Sequence, residues 1–304
     1  MTLGVGVDVS ELSVIVPAVN SYDDVFDCLT ALHGPQGADL EILVVDRTGP
    51  LIRESVARDF PGVRVISVPP GTTIPQMRTR AIHEATAPAV AVIEDHVIVP
   101  ENWARAMLDA LGADNEVVAG AVENAATDSL SDWAAFLCEY SAALPPLPTG
   151  PAEGVPGNNT IYRRETLARY DGVLAEGKWE NRLHDAMKAD GVKLILRPDI
   201  VVGHKMHYTF GLYMSQRYLY SRSYAGAMSD GLSAPQRVVR GGAALVLLPP
   251  LMFWRTISRV TSKKRHLGKL VQSLPMLVPF AVSWGAGEAA GYWFGPGDAL
   301  ARVR

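Results

Sequence analysis

Short runs of consecutive apolar residues alternate with amphipathic segments through the first third of the chain. Runs rich in Val and Ile that are too short for a helix are typical of parallel strands buried on both faces. The pattern predicts strands over 12–19, 41–46, 63–69 and 88–93, with helices from about 20 to 33, over 53–60 and over 75–85. Strands that alternate with helices across short turns indicate right-handed crossovers and an α/β fold.

The regular alternation of strand and helix patterns ends after residue 111. The predicted elements are a strand at 117–123, a helix at 130–144, a Pro/Gly-rich loop at 145–156, a strand through Arg164, a helix from Glu180 to Gly191 and short strands at 193–196 and 200–202. We interpret this part as the completion of the same sheet. The expectation is a mixed, mainly parallel sheet flanked by helices, in one domain over residues 1–209.

Residues 210–304 form a tail of a different kind. A helix is predicted over 210–228, followed by an apolar run at 243–254, a basic connector at 255–269 and a second apolar run at 270–294. The first run is short for a span and is interrupted by Pro249 and Pro250, and the second is interrupted by Pro275 and Pro279. We therefore expect a helical, membrane-associating region with interfacial or re-entrant helices. The alternative is a set of buried helices that pack on the preceding domain or on a second subunit.

The amino-acid composition indicates which kinds of partner the protein can bind and in which cellular compartment it works. Charged residues are 20% of the 304 and the net charge is −4, so no strong field attracts nucleic acid, and no nucleic-acid partner is expected. The mean hydropathy of +0.10 is high because of the tail. Cys28 and Cys138 lie far apart, and the chain opens with Asp8 and Glu11 rather than a basic, apolar export signal. These features predict no signal peptide, a reducing cytosol and no disulfide framework.

The fourth predicted strand ends abruptly in Glu94, Asp95 and His96. In open α/β sheets ligands bind outside the carboxyl ends of the strands. Carboxylate oxygens suit hard divalent cations that also hold phosphate, and a neighbouring imidazole can ligate or tune such a site. The alternative is a polar strand end that caps the next helix.

An ordered set of fragments carries a resemblance to a known family. The fragments are Leu12-Ser-Val-Ile-Val-Pro-Ala-Val-Asn20, Ile42-Leu-Val-Val-Asp46, Met77-Arg78, Glu94-Asp95-His96 with Pro100 and Trp103, Gly157-Asn-Asn159 with Arg163-Arg164, Trp179-Glu-Asn-Arg-Leu183, Gly191 and His204. Over roughly residues 10–210 the chain resembles the family-two inverting glycosyltransferases. The resemblance implies the GT-A fold of nucleotide-diphospho-sugar transferases, a nucleotide-sugar donor and Mg2+ or Mn2+ as cofactor.

The resemblance also implies metal ligands. Asp95 is the first choice, with Glu94 and His96 in support, although the family's usual Asp-x-Asp motif reads Glu94-Asp95-His96 here. His204 matches a position where some members place a further ligand. A lone histidine at a strand end is more often structural.

A set of donor-nucleotide contacts follows from the same resemblance: Pro17, Val19, Asn20, Asp46, Arg78 and Glu94. A carboxylate such as that of Asp46 can accept hydrogen bonds from a base N–H, and the fork of Arg78 suits phosphate. The alternatives are a helix N-cap for Asp46, a strand end for Pro17 and a solvated helix position for Arg78.

Glu180 matches the first acid of the family's Glu-Asp pair, which reads Glu180-Asn181 here, and is therefore the implied catalytic base. An acid in the first turn of a helix also simply favours the helix dipole. The implied sugar and acceptor contacts are Gly157, Asn158, Asn159 and Trp179. Gly-Asn is equally ordinary turn chemistry.

The implied reaction is inverting transfer of a hexose-type sugar from a nucleoside-diphosphate sugar to the hydroxyl of a glycan, lipid-linked or small-molecule acceptor. Gln216 is followed directly by Arg217, so the Gln-x-x-Arg-Trp motif of processive synthases is missing and a single addition is expected. We expect the enzyme at the cytoplasmic membrane face, in cell-envelope biosynthesis, with homo-oligomerisation left open.

Two other functions compete with this interpretation. A nucleotidyltransferase would need a Gly-rich phosphate loop after the first strand, where the chain has Ala18-Val-Asn-Ser-Tyr22. A catalytically inactive GT-A-like scaffold or binding protein at the membrane would explain the two altered acidic motifs.

Overall fold

The computed structural model describes residues 10–304. Asp8 and the other residues of the predicted catalytic domain before position 10 lie outside the described residues. The chain forms two compact units: the first runs to Ala121 and resumes over Leu147–Gly203, and the second comprises Val122–Pro146 and His204–Arg304. The segment 122–146 thus groups with the C-terminal helices, whereas the sequence pattern places it in the catalytic domain.

Within the described residues the chain forms strands, helices and one 3-10 turn. The strands are β1 (Leu12–Ala18), β2 (Leu40–Asp46), β3 (Arg64–Ser67), β4 (Ala89–Val92), β5 (Val97–Ile98), β6 (Val117–Asn124), β7 (Gly150–Pro151), β8 (Thr160–Arg163) and β9 (Leu194–His204). The helices are α1 (Tyr22–Leu32), α2 (Pro50–Asp59), α3 (Ile74–Glu84), α4 (Trp103–Leu111), α5 (Leu130–Tyr140), α6 (Arg164–Arg169), α7 (Asp171–Leu174), α8 (Glu180–Ala189), α9 (Phe210–Met228), α10 (Ala234–Lys263) and α11 (Leu267–Phe294), with the 3-10 turn at Ala299–Arg302.

The sheet of the first unit has the strand order β3-β2-β1-β4-β8-β6-β9-β5, with β7 paired to β9. The strands β3, β2, β1 and β4 are parallel, while β8 is antiparallel to both β4 and β6. All seven residues of β1 are buried, as a strand covered by helices on both faces requires. The predicted mixed α/β sheet is therefore confirmed.

Local capping fixes where the helices that flank the site begin. Ser21 caps α1 and Thr73 caps α3, each in a reciprocal capping box with the third helical residue. Buried Met77 and Ala81 of α3 pack on Leu43 and Val90 in the core of the sheet. Arg78 belongs to the same buried side of α3, so this packing also fixes the position of the arginine.

Several predicted elements of the first half differ from the structure. The two short strands at 193–196 and 200–202 form the single strand β9, because a proline such as Pro198 fits a strand where no ladder donor is needed. The helix predicted to reach residue 144 ends at Tyr140. The strands β5 and β7 have two residues each, too few to leave a periodic signal.

The second unit is built from α5, α9, α10 and α11, and the predicted helix over 210–228 is confirmed as α9. The predicted interruption at Pro249 and Pro250 is wrong, because α10 runs through both prolines. Most of the predicted basic connector is likewise helical. A proline costs a helix one hydrogen bond and adds a clash with the preceding turn, so packing must compensate. At Gly285 of α11 an added Cβ would lie only 2.9 Å from Cγ of Pro249, so this glycine lets α11 pack tightly on the proline segment.

Candidate active site

The parallel strands β1 and β4 lie side by side, at the point where the order in which the strands are added to the sheet reverses. From β1 the chain continues to β2 on one side, whereas β4 pairs on the other side, with Ile15 opposite Val92. The carboxyl ends of these two strands therefore lie at a topological switch point, which is where ligands bind in such sheets.

Asp95 ties these two loops together. Its Oδ2 accepts hydrogen bonds from the backbone N–H groups of Val19 (2.7 Å) and Asn20 (2.9 Å), and its Oδ1 accepts one from Nδ2 of Asn20 (2.8 Å). The side chain is 1% exposed. Asp95 thus brings the predicted donor-binding loop onto the acidic strand end, and its two oxygens are already occupied by these donors.

His96 lies between two carboxylates. Its Nδ1 is 2.8 Å from Oδ1 of Asp95, and its Nε2 is 3.4 Å from Oε2 of Glu94. Burial alone would lower the pKa of His96, but its hydrogen bonds to Asp95 and Glu94 outweigh burial and raise that pKa to about 10. Glu94 is 26% exposed. To hold a divalent cation here, Nε2 of His96 would have to give up its proton, and that nitrogen and the oxygens of Glu94 would then face one another as ligands.

Arg78 connects Glu94 with Glu180, although the two acids are far apart in sequence. Its Nη1 donates to Oε2 of Glu180 at 2.8 Å, and its Nη2 lies 3.7 Å from Oε1 of Glu94. The arginine projects from α3 and is 9% exposed. A single guanidinium thus fixes the spacing between the predicted base and the acidic strand end, and it adds positive charge where a diphosphate would need it.

Glu180 begins α8, lies against Gly157 and lines a small pocket. The pocket has a volume of about 40 Å³, and Arg78, Gly157, Tyr162 and Glu180 are among its lining residues. A Cβ added to Gly157 would lie 2.4 Å from Cδ of Glu180. No side chain could stand at position 157 without moving the carboxylate, so the glycine is required by this close approach.

The two asparagines after Gly157 occupy different environments. Nδ2 of Asn158 donates to Oε2 of Glu94 at 2.9 Å, which places Asn158 at the acidic strand end. Asn159 is completely buried: its Oδ1 accepts from Nε1 of Trp103, and its Nδ2 donates to the carbonyls of Ala121 and Ile200. The amide of Asn159 is therefore used inside the sheet, and its predicted contact with the sugar stays a prediction that this geometry does not favour.

The predicted base-reading end of the site contains Asp46 at the end of β2. Its Oδ1 accepts from the backbone N–H and hydroxyl of Thr48, at 2.7 and 2.6 Å, which closes the turn into α2. Its Oδ2 is buried without a hydrogen-bond donor and lies 3.6 Å from Nη1 of Arg53. Asp46 thus has the turn-closing role, and its contact with a nucleobase stays a prediction. Pro17 is a buried residue of β1 and lies opposite Val45 of β2.

Trp179 and His204 are the two remaining predicted site residues. Trp179 is buried and occupies the N-cap position of α8, directly before Glu180. His204 is the last residue of β9 and belongs to the second unit, where its ring lies 4.4 Å from that of Tyr140. The role of His204 as a further metal ligand stays a prediction.

Two basic residues of the pocket are missing from the sequence prediction. Lys178 and Arg182 line it together with Glu180, and both pair with Glu176. The sequence does contain a signal for them, because one basic residue lies two positions before Glu180 and another lies two positions after it. Glu176 thus pairs with both basic side chains that line the pocket.

A mixed sheet with a parallel β3-β2-β1-β4 half, and with an acidic motif at the crevice beside β1, defines the class as GT-A-like nucleotide-diphospho-sugar transferases. The family model described as Glycosyl transferase family 2 matches residues 13–170, which are 158 of the 304 residues. The chain belongs to glycosyl transferase family 2, and it is a nucleotide-sugar-dependent glycosyltransferase. No curated protein matches the chain.

Solved structures agree on the fold. The chain is similar to the mannosyltransferase PcManGT from Pyrobaculum calidifontis in complex with GDP-Man and Mn2+, with 16% identity over 94% of this chain and 88% of that chain and a TM-score of 0.54. It is also similar to GalNAc-T7 with UDP, GalNAc and Mn2+, with 14% identity over 66% of this chain and 44% of that chain and a TM-score of 0.50. At these identities the likeness establishes the GT-A-like architecture.

Proposed function

We propose that the protein transfers a sugar with inversion, by direct displacement, from a nucleoside-diphosphate sugar to an acceptor hydroxyl, with Glu180 as the base. The observation that carries this proposal is the position of Glu180, which lies against Gly157 and accepts a hydrogen bond of 2.8 Å from Arg78. A base for inverting transfer must face the acceptor hydroxyl on the side opposite the leaving group. A carboxylate that lines a pocket and is held in place by an arginine is suited to that task.

In the proposed step Glu180 accepts the proton of the acceptor hydroxyl while the hydroxyl oxygen bonds to the anomeric carbon. The bond between that carbon and the diphosphate oxygen breaks, and its electron pair leaves with the nucleoside diphosphate. Arg78 holds Glu180 in place and lies 3.7 Å from Glu94 at the acidic strand end. Its positive charge therefore also stabilises the negative charge that develops on the departing diphosphate.

The donor atoms at this strand end suit a divalent cation. Glu94 would supply a carboxylate oxygen and His96 an imidazole nitrogen, while Asp95, the first choice from the sequence, holds the loop of Val19 and Asn20 and remains a proposed ligand. A bound cation acts as a Lewis acid toward diphosphate oxygens. Because Mg2+ takes oxygen ligands, the nitrogen of His96 favours Mn2+ of the two metals.

We further propose that the second unit attaches the enzyme to the cytoplasmic face of a membrane, where the acceptor is lipid-linked or part of the envelope. Among the described residues α10 and α11 are long and apolar enough to cross a membrane. In α10 11% of the most apolar 18-residue stretch is buried, and in α11 the buried share is 44%. Exposed apolar side chains on α10 include Val246, Leu247 and Trp254, and Arg255 and Lys264 lie nearby in sequence. Apolar and basic groups together suit an anionic membrane surface.

Flotation with vesicles tests the attachment. Wild-type protein is expected to float with vesicles that contain anionic lipid, and Leu247→Glu is expected to reduce the bound fraction several-fold. Leu51→Glu is the matched control, because Leu51 is similarly exposed but lies on α2 of the first unit. Protein that stays in the supernatant of a low-salt, detergent-free fractionation would contradict the attachment.

The transfer chemistry is tested by release of nucleoside diphosphate from a panel of UDP-, GDP- and dTDP-sugars with Mn2+ or Mg2+. Glu180→Gln is expected to abolish turnover and to retain donor binding, because the amide cannot take a proton. Glu165→Gln is the control, since Glu165 is an exposed acid in the first turn of α6 and matches the helix-dipole role of Glu180. Equal loss in both variants would contradict the base assignment.

A further inference from the structure

The helical second unit has an open cavity of about 200 Å³ that is lined by a buried arginine. The cavity lies beside α9 and α11, and its wall includes Tyr208, Tyr213, Arg217, Tyr220 and Trp284. A single water needs only about 10 to 15 Å³ of such space, so the cavity can hold a small organic group. Four aromatic rings and one guanidinium give it an unusual combination of an apolar wall and a fixed positive charge.

Arg217 is 6% exposed, and two of its nitrogens have no acceptor. Nε and Nη2 are buried without a hydrogen-bond partner among the described residues. The guanidinium carbon lies 4.0 Å from the ring centroid of Trp284, which is a cation–π contact. A guanidinium cannot lose its proton in a protein, and burying its charge without an anion is costly. The ring of Trp284 offsets only part of that cost.

Tyr213 adds a third buried polar atom to the same wall. Its hydroxyl also has no hydrogen-bond partner among the described residues, while its ring packs edge-on against Phe280 with centroids 4.6 Å apart. Nε1 of Trp284 donates to Oε1 of Glu288 at 2.6 Å, which fixes the indole beneath the guanidinium. The surroundings thus hold Arg217 and Tyr213 in place without using their polar atoms.

A carboxylate in the cavity wall leaves two donors of the arginine unpaired. Glu139 lines the cavity and attracts the guanidinium electrostatically, yet Nε and Nη2 of Arg217 have no hydrogen-bond partner among the described residues. A ligand would therefore meet the guanidinium directly. An anionic ligand suits the site best, because it would both accept from the two unpaired N–H donors of Arg217 and compensate its buried charge.

We propose that this cavity binds a phosphate ester, with the phosphate between the guanidinium of Arg217 and the hydroxyl of Tyr213. Three open polar atoms match the three terminal oxygens of a phosphate monoester, and the arginine fork gives the paired geometry that phosphate favours. The carbon part of the ligand lies along the rings of Tyr208 and Tyr220. A lipid headgroup and a soluble phosphate ester share this chemistry. The site is separate from the transfer step and does not depend on the proposed base or metal.

Calorimetry on the full chain separates the two sources of phosphate. The probes are inorganic phosphate, a hexose 1-phosphate and monomeric dioctanoyl phosphatidic acid. At least one probe is expected to bind, and Arg217→Met is expected to weaken it tenfold or more. Arg255→Met is the control, because Arg255 is an exposed arginine of α10 in the same unit. Tighter binding of the lipid identifies a headgroup, and tighter binding of the hexose phosphate identifies a soluble ligand.

Thermal unfolding keeps the test decisive if a variant folds poorly. Without phosphate, Arg217→Met should have an unchanged or higher Tm, since a buried unpaired charge is removed. The best-binding probe should raise the Tm of the wild type and leave that of Arg217→Met unchanged. If Arg217→Met does not fold, Arg217→Lys, which keeps the charge and loses the fork, should bind several-fold more weakly. Equal binding by the folded Arg217 variant and wild type, or no binding of any probe to wild type, would overturn the proposal.

Discussion

Replacing Gly157 with alanine displaces the proposed catalytic base without removing any functional group. The added Cβ would lie 2.4 Å from Cδ and 2.5 Å from Oε1 of Glu180. An ordinary contact between such atoms is at least about 3.4 Å, so the carboxylate must move by roughly 1 Å. Its bond of 2.8 Å to Arg78 is then lengthened or lost.

The expected effect is on the rate of transfer rather than on folding. A shift of about 1 Å in a catalytic group costs on the order of 100-fold in rate. Alanine at an unstrained glycine position changes the free energy of unfolding by only about 0.4 to 1 kcal/mol, in the stabilising direction, and the far end of the Glu180 side chain can swing away. The Gly157→Ala variant should therefore have a Tm close to that of the wild type.

Initial rates of nucleoside diphosphate release, measured beside thermal unfolding, check this prediction. Gly154→Ala is the matched control in the same loop, because a Cβ at Gly154 meets no atom within 4 Å. The control should keep wild-type rates. If Gly157→Ala keeps wild-type rates as well, the position of Glu180 does not limit the reaction and the base assignment fails.

Three further substitutions test the supports of the site and of the helical unit. Asp95→Ala should lower the free energy of unfolding by about 2 to 4 kcal/mol in urea titrations, because backbone N–H groups of the loop after β1 lose their acceptor; a loss below about 0.5 kcal/mol would show that the loop does not need it. Arg78→Lys should lower kcat/KM about tenfold or more because the fork is lost, whereas Arg80→Lys on the exposed side of α3 should not; equal effects would refute the bridging role. Gly287→Ala should destabilise the helical unit by about 1 to 3 kcal/mol, since its Cβ would lie 2.0 Å from a serine hydroxyl of α9, whereas Gly242→Ala, with open space around it, should be neutral or stabilising in thermal unfolding.

The strand ends that hold the site were predictable from the sequence. A buried apolar run that stops at Glu94 leaves its polar residues at the carboxyl edge of a parallel sheet, whatever the details of packing. The same reasoning places Val19 and Asn20 after β1. What it could not give was the pairing of Asp95 with those residues, which are 76 and 75 positions away in the chain. Contacts at that separation depend on which strands become neighbours.

The link between Arg78 and Glu180 escaped prediction for the same reason. The two residues are 102 positions apart, and each has an ordinary local explanation on its own helix. Only tertiary structure turns them into a bridge from α3 to α8. The close approach of Glu180 to Gly157 could not be predicted either, because a Gly-Asn pair in a sequence normally indicates a turn.

The helical unit departs furthest from the sequence expectation. Pro249 and Pro250 predicted an interruption by local rules, but packing against Gly285 lets α10 continue. Arg217 entered the sequence analysis only through the missing synthase motif, and nothing around it predicted burial against Trp284. A charge on a helix is normally read as solvated, so a buried one is found only in the folded chain.

The measurement that tests the central claim most directly is transfer with each nucleotide sugar of the panel, with Mn2+ and after chelation, by the wild type and by Glu180→Gln. The account predicts release of nucleoside diphosphate from one donor that stops on chelation. It also predicts that Glu180→Gln binds this donor with wild-type affinity and does not turn it over. Turnover by Glu180→Gln at the wild-type rate, or turnover unaffected by chelation, would contradict the proposed base or the proposed metal respectively.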